Sequence, residues 1–295
     1  MSAIQVRNLT KTYRNGKGIF DVSFSVNAGE VFGYLGPNGA GKTTTIRQLM
    51  GFANADKGSC TINGLDCRTQ APDIHRSLGY LPGEIAFFED MTGTQFLQFV
   101  NDMRGIRDRT RMRALIDRFE LDARRSIRKM SKGMKQEVGI VAAFMHDPSV
   151  YVLDEPTSGL DPLMQRTFID LILEEKARGK TILMSSHNFD EIDRTSDRAG
   201  VIREGRLVAV EDVHSLKASQ RKAFVVTVAS QEDVAILRSS GLELGKVTGN
   251  HVEVIVSSNY DFFIRTLSSC RVRGIDVISQ SLEQAFMKYY GQEAK

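Results

Sequence analysis

One run of nine residues carries the clearest chemistry in this sequence. Gly36-Pro37-Asn38-Gly39-Ala40-Gly41-Lys42-Thr43-Thr44 fits the pattern G-x-x-x-x-G-K-[ST] at every fixed position. The apolar residues 31–35 before it predict a buried strand, and residues 43–50 after it favour a helix that ends at Gly51. In such a strand–turn–helix context, successive backbone N–H groups and the helix N-terminus bind phosphate. The sequence therefore predicts a nucleotide phosphate site.

The residue types in this loop suggest a role for each position. Glycine lets the backbone approach phosphate oxygens because no Cβ lies between them. Lys42 is expected to reach the β- and γ-phosphates, and the Thr43 hydroxyl is expected to ligate Mg²⁺. The residues expected to bind the nucleotide here are Gly36, Asn38, Gly39, Gly41, Lys42, Thr43 and Thr44.

A pair of acids, Asp154-Glu155, directly follows the apolar run 150–153. The first acid of such a pair can hold Mg²⁺, often through water. The second can orient and deprotonate the attacking water as a general base. Two acids after an apolar run are common by chance, but downstream of a matching phosphate loop they indicate a site that hydrolyses nucleotide.

The composition is that of a globular protein with a mild charge. The 295 residues suit one large domain, or one with a smaller second domain, and 41% of them are hydrophobic. The net charge of +3 neither requires nor excludes nucleic acid, and no basic run stands out. Composition alone therefore leaves the class of partner open.

The expected location follows from the cysteines and the apolar runs. The three cysteines show no metal-ligand spacing and are expected to be reduced thiols in a cytosolic protein. The start of the chain lacks the shape of a signal peptide, and the longest apolar runs are too short to span a bilayer. Any membrane function is therefore expected to be exerted from the aqueous side, through a partner.

The hydrophobic pattern predicts an α/β fold over residues 1–215. Residues 4–9 and 20–26 alternate apolar and polar side chains, which predicts an antiparallel β part at the N-terminus. Farther along, strands alternate with helices, which predicts a mostly parallel sheet covered on both faces. These later strands are expected at 59–64, 78–81, 150–153 and 181–185, with a hairpin over 200–209.

A helical insert is predicted over about residues 85–146. Apolar residues recur at helical spacing between 92 and 119, and Ser131 is a candidate N-cap for a further helix. Another helix is expected to begin at Pro162, because proline is favoured in the first helical turn.

A small α+β module is predicted over residues 220–295, after a polar boundary near 215–221. Its order of strand, helix, two strands, helix and strand is typical of a ferredoxin-like module. A last helix over 282–290 is expected to begin at a capping box formed by Ser281 and Gln284. No constellation of catalytic residue types lies in this module. The segments are predicted at 224–228, 232–239, 242–247, 252–256, 260–268 and 275–278.

Four further segments give the sequence a resemblance to a known family. They are, in chain order, Tyr13, then Met130-Ser131-Lys132-Gly133-Met134-Lys135-Gln136, then Ser158-Gly159-Leu160-Asp161, and His187. With the phosphate loop and the acids, they make residues 1 to about 215 resemble the ATP-binding cassette (ABC) ATPases, the motor subunits of ABC transporters. The resemblance implies the P-loop NTPase ABC fold with a helical insert.

The resemblance also implies roles that the residue types alone leave open. By itself Tyr13 would more commonly cover a sheet edge, but the family places its adenine-stacking aromatic there. Ser131 and the Gly133 amide would bind the γ-phosphate of an ATP held by a partner subunit, since they lie at a helix N-terminus. Asp161 would lie at the interface, and His187 would hydrogen-bond the γ-phosphate. The implied assembly is a head-to-tail dimer around two MgATP.

Two departures from the common family pattern are visible. The signature usually written Leu-Ser-Gly-Gly-Gln has Lys132 and Met134 here, a variant that resembles the ATPases of bacitracin- and daunorubicin-type exporters. The C-terminal stretch from Leu282 to Phe286 is also similar to those subunits. Many relatives carry a Mg²⁺-sensing glutamine where Gly83 stands, and the next residue, Glu84, is expected to be a solvated loop acid.

We therefore expect an ATPase subunit that binds ATP and Mg²⁺ at the cytoplasmic face of a membrane. It would work as a homodimer, or with a closely related ATPase, and would drive the separate transmembrane permease of an exporter, without binding nucleic acid. One alternative is a soluble ABC ATPase acting on the ribosome or nucleic acid, although such proteins usually carry two cassettes or a long coiled coil. A phosphate-loop kinase is a second alternative, against which His187 and the signature argue.

Overall fold

The computed structural model describes residues 2–219, 222–256 and 259–278. The chain divides into two compact units, Met1–Val213 and His214–Lys295. Within the part of the chain that the structure describes, no helix has the length and apolar character needed to cross a bilayer. The helix predicted over 282–290 and its capping box at Ser281 lie outside the described residues.

The first unit alternates strands and helices. In chain order its elements are β1 (Ser2–Thr12), β2 (Gly18–Asn27), β3 (Val31–Leu35), α1 (Lys42–Leu49), β4 (Lys57–Ile62), β5 (Leu65–Asp66), α2 (Ala71–Ser77), β6 (Leu78–Leu81), α3 (Gly93–Met103), α4 (Thr110–Arg118), α5 (Lys132–Phe144), β7 (Val150–Asp154), α6 (Pro162–Ala177), β8 (Thr181–Ser186), α7 (Phe189–Thr195), β9 (Arg198–Arg203) and β10 (Arg206–Asp212).

The strands of this unit form two sheets. One is antiparallel and has the order β2-β1-β4-β5. The other has six strands in the order β10-β9-β3-β8-β7-β6 and is parallel except for the pairing of β9 with β10. Every residue of β3, β7 and β8 is buried, as continuous apolar runs in a covered parallel sheet require. The prediction of a mostly parallel sheet with an antiparallel N-terminal part is confirmed.

The register of the parallel sheet brings three chain segments to one edge. Leu35 pairs with Ser186, and Asp154 pairs with Ser185. The carboxyl ends of β3, β8 and β7 are therefore level with one another, so the loops that follow them meet in space. Open parallel sheets bind ligands at this edge.

The segment predicted as a helical insert, about residues 85–146, contains α3, α4 and α5. Thr92 caps α3 with a full capping box, in which its side chain accepts from the Gln95 N–H and the Gln95 side chain accepts from the Thr92 N–H. Leu97 and Leu115 are buried on the inner faces of α3 and α4. The side chain of Ser131 accepts a hydrogen bond from the Met134 N–H at 3.1 Å, so Ser131 caps α5 as predicted.

Some boundaries and short elements differ from the sequence predictions. The strand predicted over 59–64 is observed as β4, Lys57–Ile62. It ends two residues early because Asn63 and Gly64 have φ values of +49° and +79° and form the turn into β5. The helices α2 and α7, seven residues each, are absent from the predicted elements. Two turns of helix are too short for a hydrophobic period to be recognised.

The second unit carries its own sheet and core. Its elements are β11 (Lys222–Val228), α9 (Gln231–Ser239), β12 (Glu243–Thr248), β13 (His251–Val256), α10 (Tyr260–Ser268) and β14 (Val272–Ile278), after α8 (Val213–Ser219) at the boundary. The antiparallel strand order β12-β13-β11-β14 and the strand–helix–strand–strand–helix–strand sequence confirm the predicted ferredoxin-like arrangement. Val226, Leu237, Val252 and Phe263 lie in its core.

Candidate active site

Lys42 is the first residue of α1 and lies toward the end of the phosphate loop. Its side chain is 5% exposed, and Nζ donates to the carbonyl oxygens of Gly36 at 2.6 Å and Pro37 at 3.2 Å. The same Nζ lies 2.9 Å from Glu155 Oε1. A buried ammonium held by two carbonyls and one carboxylate is a fixed positive charge. It lies at the start of α1, in the loop that the sequence predicts to bind phosphate.

The loop backbone has the geometry that its glycines allow. Gly39 and Gly41 have φ values of +80° and +113°, in the region that glycine adopts without strain. A Cβ on Gly41 would also come within 2.7 Å of Ile19 Cγ2. The first glycine is tied to the neighbouring strand, since the Gly36 N–H donates to the Ser186 carbonyl at 3.2 Å. The loop is therefore attached directly to the segment that precedes His187.

Asp154 lies at the end of β7 and is 1% exposed. Its Oδ1 accepts a hydrogen bond from Ser185 Oγ at 2.5 Å. Its Oδ2 is buried and has no hydrogen-bond partner among the described residues. An ideal Cβ on Gly83 would lie 3.3 Å from this Oδ2, so glycine leaves open the space in front of it. A buried carboxylate oxygen of this kind requires a cation or water as its partner.

Glu155 is held from several directions. Its φ of +50° is unusual for a residue other than glycine. Its N–H donates to Ser185 Oγ at 3.0 Å, and Oε2 lies 2.6 Å from Nδ1 of His187. Gln136 Nε2 on α5 donates to the Pro156 carbonyl at 2.8 Å. The carboxylate is thus oriented between Lys42 and His187, and strain of this type is typical of functional positions.

A cleft of about 980 Å³ opens at this edge of the sheet. Thr43, an exposed residue, lies on its wall with Asn38 from the phosphate loop. Asp154, Glu155 and His187 line the same cleft. Two predicted phosphate-site residues, the predicted metal ligands and both predicted catalytic residues therefore line one cavity, of a size suitable for a nucleotide.

The signature segment packs against the loop that follows the acids. Lys132 Nζ donates to Ser158 Oγ at 3.1 Å, and an ideal Cβ on Gly133 would lie 2.8 Å from the Gly159 carbonyl oxygen. Asp161 is the N-cap of α6, where its side chain accepts from two backbone N–H groups at 2.9 Å. Lys132 and Gly133 thus lie against Ser158 and Gly159, while Ser131 and Asp161 cap helices of their own chain.

The remaining predicted residues, Tyr13 and Thr44, lie at the edges of the site. Tyr13 follows the Thr12–Gly18 pair at the end of the first hairpin, and the residue is 39% exposed. Ile19, next to Gly18, is the residue that would clash with a Cβ on Gly41, so this hairpin end adjoins the phosphate loop. Thr44 is half-buried in the first turn of α1.

Two residues that hold the site are not among the site residues predicted from the sequence. Ser185 contacts both Asp154 Oδ1 and the Glu155 N–H. Gln136 links α5 to the backbone just after Glu155. A serine at the end of a buried strand is a usable signal for Ser185. Gln136 ends the signature segment quoted from the sequence, but its bond to the Pro156 carbonyl joins segments far apart in the chain and has no local signal.

Comparison with known proteins decides the family. The model of the family described as ABC transporter matches residues 19–158. The bacitracin transport ATP-binding protein of Bacillus licheniformis is 31% identical over 98% of this chain and 97% of its own length. This protein belongs to the ABC transporter ATPases. An ABC ATPase binds and hydrolyses ATP, so the predictions of family, fold class and enzymatic activity are confirmed.

One further relative and one solved structure are also similar to this chain. The linearmycin resistance ATP-binding protein of Bacillus subtilis is 29% identical to this ABC ATPase over 98% of both chains. A solved ATP-binding subunit of an ABC transporter superposes with a TM-score of 0.68 at 32% identity, covering 73% of this chain and 92% of the other. The similarity to the two resistance- and transport-related relatives spans both units of this ABC ATPase.

Proposed function

We propose that this ABC ATPase hydrolyses MgATP in the cleft at the carboxyl edge of the six-stranded sheet and thereby drives a separate transmembrane permease. The observation that carries the proposal is the position of Glu155, whose carboxylate contacts Lys42 at 2.9 Å and His187 at 2.6 Å. A base held between a phosphate-binding cation and a histidine suits water attack on a terminal phosphate.

The residues in the cleft divide the work of hydrolysis. Lys42 neutralises phosphate charge, exchanging its carbonyl contacts for phosphate oxygens. Thr43 and Asp154 Oδ2 would hold Mg²⁺, which prefers oxygen ligands, keeps several waters and neutralises charge that develops on the phosphates. Glu155 accepts the proton of the attacking water. His187 keeps the carboxylate oriented and hydrogen-bonds the γ-phosphate.

The active assembly in this proposal is a dimer. Ser131 and the Gly133 N–H lie at the N-terminus of α5, where backbone dipoles favour an anion. They would bind the γ-phosphate of ATP on a partner subunit, with Asp161 near the interface. The partner is a second copy or a related ATPase. The ferredoxin-like module, whose sequence shows no constellation of catalytic residue types, is assigned a regulatory or dimer-supporting role.

The transporter is proposed to be an exporter of a drug, peptide antibiotic or lipid-like substrate. Support comes from relatives named for bacitracin transport and linearmycin resistance, which are similar along both of the units described. In this role the ATPase is bound at the cytoplasmic face of the membrane through the permease. Substrate choice would belong to the permease.

Purification of the tagged protein from its own cells in mild detergent tests this proposal. We expect an integral membrane protein to copurify in a fixed ratio, and addition of the permease in vesicles to change the ATPase rate. Copurification with ribosomes or RNA, with no membrane protein, would instead favour the soluble ABC ATPase alternative.

A second prediction concerns Glu84, beside the glycine that replaces the usual glutamine. Glu84 is exposed, whereas the Cβ direction of Gly83 points at Asp154 Oδ2. Side chains of consecutive residues leave the backbone in different directions, so Glu84 does not reach the metal position. Glu84→Ala should therefore change MgATP turnover less than about twofold at saturating Mg²⁺ without the permease.

The same assay distinguishes a metal ligand from a residue that couples the site to the permease. A tenfold loss without the permease, about 1.4 kcal/mol in the barrier, would make Glu84 a metal ligand and contradict the prediction. A loss that appears only with the permease would make Glu84 a coupling residue. Asp154→Asn is the control for true loss of a metal ligand and should depress turnover in both conditions.

A further inference from the structure

A second glutamate, Glu191, is buried beside the catalytic loops. It lies on α7 and is 2% exposed. Its Oε2 accepts a hydrogen bond from Ser186 Oγ at 2.6 Å. Its Oε1 is also buried, and no group in the described part of the chain forms a hydrogen bond of good geometry with it. Burying a carboxyl in this way is costly, and no role for it follows from the mechanism above.

The hydrogen-bond partner of Glu191 controls the backbone on both sides of His187. Ser186 Oγ accepts from the Asn188 N–H at 2.9 Å while it donates to Glu191. The Ser186 carbonyl accepts from the Gly36 N–H at 3.2 Å. His187 is therefore the middle residue of a turn whose two ends are joined through one hydroxyl group. The acceptor on Glu191 determines which way that hydroxyl points.

The surroundings of Glu191 connect it to the catalytic centre. Burial raises the pKa of Glu191 to about 7, the Glu155 charge adds to this rise, and hydrogen bonding by Ser186 and Thr157 opposes it. Asp190, Arg166 and Arg194 face the small cavity of about 180 Å³ beside it. In its protonated form the carboxyl has nearly the shape of a glutamine side chain and keeps the same acceptor oxygen. Glutamine is therefore a matched replacement at this position.

We propose that Glu191 is a positioning residue for ATP hydrolysis. By accepting a hydrogen bond from the Ser186 hydroxyl, Glu191 fixes the turn that contains His187. That turn keeps His187 Nδ1 within hydrogen-bond distance of Glu155 Oε2. This inference rests on the proposed function, because it acts through His187 and Glu155. Loss of the acceptor leaves Ser186 Oγ free to rotate, so the Asn188 end of the turn loosens and His187 no longer orients the base.

The test compares two substitutions at this position. Glu191→Leu, which has no acceptor, should lower kcat about tenfold and change the affinity for a fluorescent ATP analogue less than about twofold. Glu191→Gln, which keeps an acceptor for Ser186, should stay within about twofold of the wild-type kcat. Asp190→Leu, at the exposed neighbouring acid on the same helix, is the control and should leave kcat unchanged. Thermal unfolding of each variant reports whether it folds.

A double-mutant cycle shows whether the effect passes through His187. In a His187→Ala background, Glu191→Leu should cause no further loss of kcat. A further tenfold loss there, or a wild-type kcat for Glu191→Leu alone, overturns the inference while leaving the proposed function intact. Wild-type turnover of His187→Ala by itself removes the proposed role of His187, and this inference with it. If Glu191→Leu does not fold, Ser186→Ala, which removes the donor instead, should show the same loss of kcat.

Discussion

Glu155→Gln should lower ATP turnover on the order of a hundredfold or more and leave ATP binding intact. The amide has nearly the size and shape of the carboxylate, so the segment held by Ser185 and Gln136 should keep its conformation. It cannot accept a proton from water, however, and the attacking nucleophile loses its base. Because ATP still binds, the variant should accumulate as an ATP-bound dimer. The wild-type dimer should instead dissociate after it hydrolyses ATP.

Two measurements check this prediction. Phosphate release at saturating MgATP gives the turnover, and size-exclusion chromatography with and without ATP gives the dimer fraction. Glu84→Gln, the same change at an exposed acid of the same cleft, is the matched control and should keep wild-type turnover. Turnover of Glu155→Gln near the wild-type rate, with Mg²⁺ present, would remove Glu155 from its role as the base.

Lys42→Ala should weaken ATP binding by about tenfold to a hundredfold, since hydrogen bonds to charged groups contribute roughly 1.5–3 kcal/mol each. The ammonium is buried and already held in the loop by Gly36 and Pro37, so it is preorganised to meet phosphate. Its removal also leaves the Glu155 carboxylate without its cation, 2.9 Å away in the wild type. Two negative groups, the carboxylate and the phosphates, would then face each other. Equilibrium titration of the monomer with a fluorescent ATP analogue measures the loss.

Ser131→Ala is the comparison that separates the two halves of the composite site. Because Ser131 is proposed to act on the partner's ATP, its removal should leave monomer affinity nearly unchanged and impair ATP-driven dimerisation. Ser131 also caps α5, so the variant should lose about 1 kcal/mol of stability. Unfolding measurements report this loss, and the dimerisation assay is run where the variant remains folded. Equal loss of monomer ATP affinity in both variants would contradict a signature that acts in trans.

The local elements and the chemical groups are readable from the sequence. The phosphate loop is predictable because its glycine spacing and its flanking strand and helix are all local features, and Gly39 and Gly41 have the positive φ values that the pattern requires. Ser131 and Pro162 likewise identify the starts of α5 and α6. Helix caps and strand periods act over a few residues, so each can be recognised where it stands in the chain.

The contacts that make these groups a site are decided by the tertiary structure. Strand order in a parallel sheet is set by crossover connections and by the burial of both faces, neither of which a local pattern encodes. Placing β3 beside β8, and β8 beside β7, is what brings Lys42, Glu155 and His187 together. The left-handed backbone of Glu155 and the burial of Glu191 likewise depend on packing against distant segments. The sequence by itself therefore determined which chemical groups stand at the ends of these elements, and the packing of the sheet determined which of them touch.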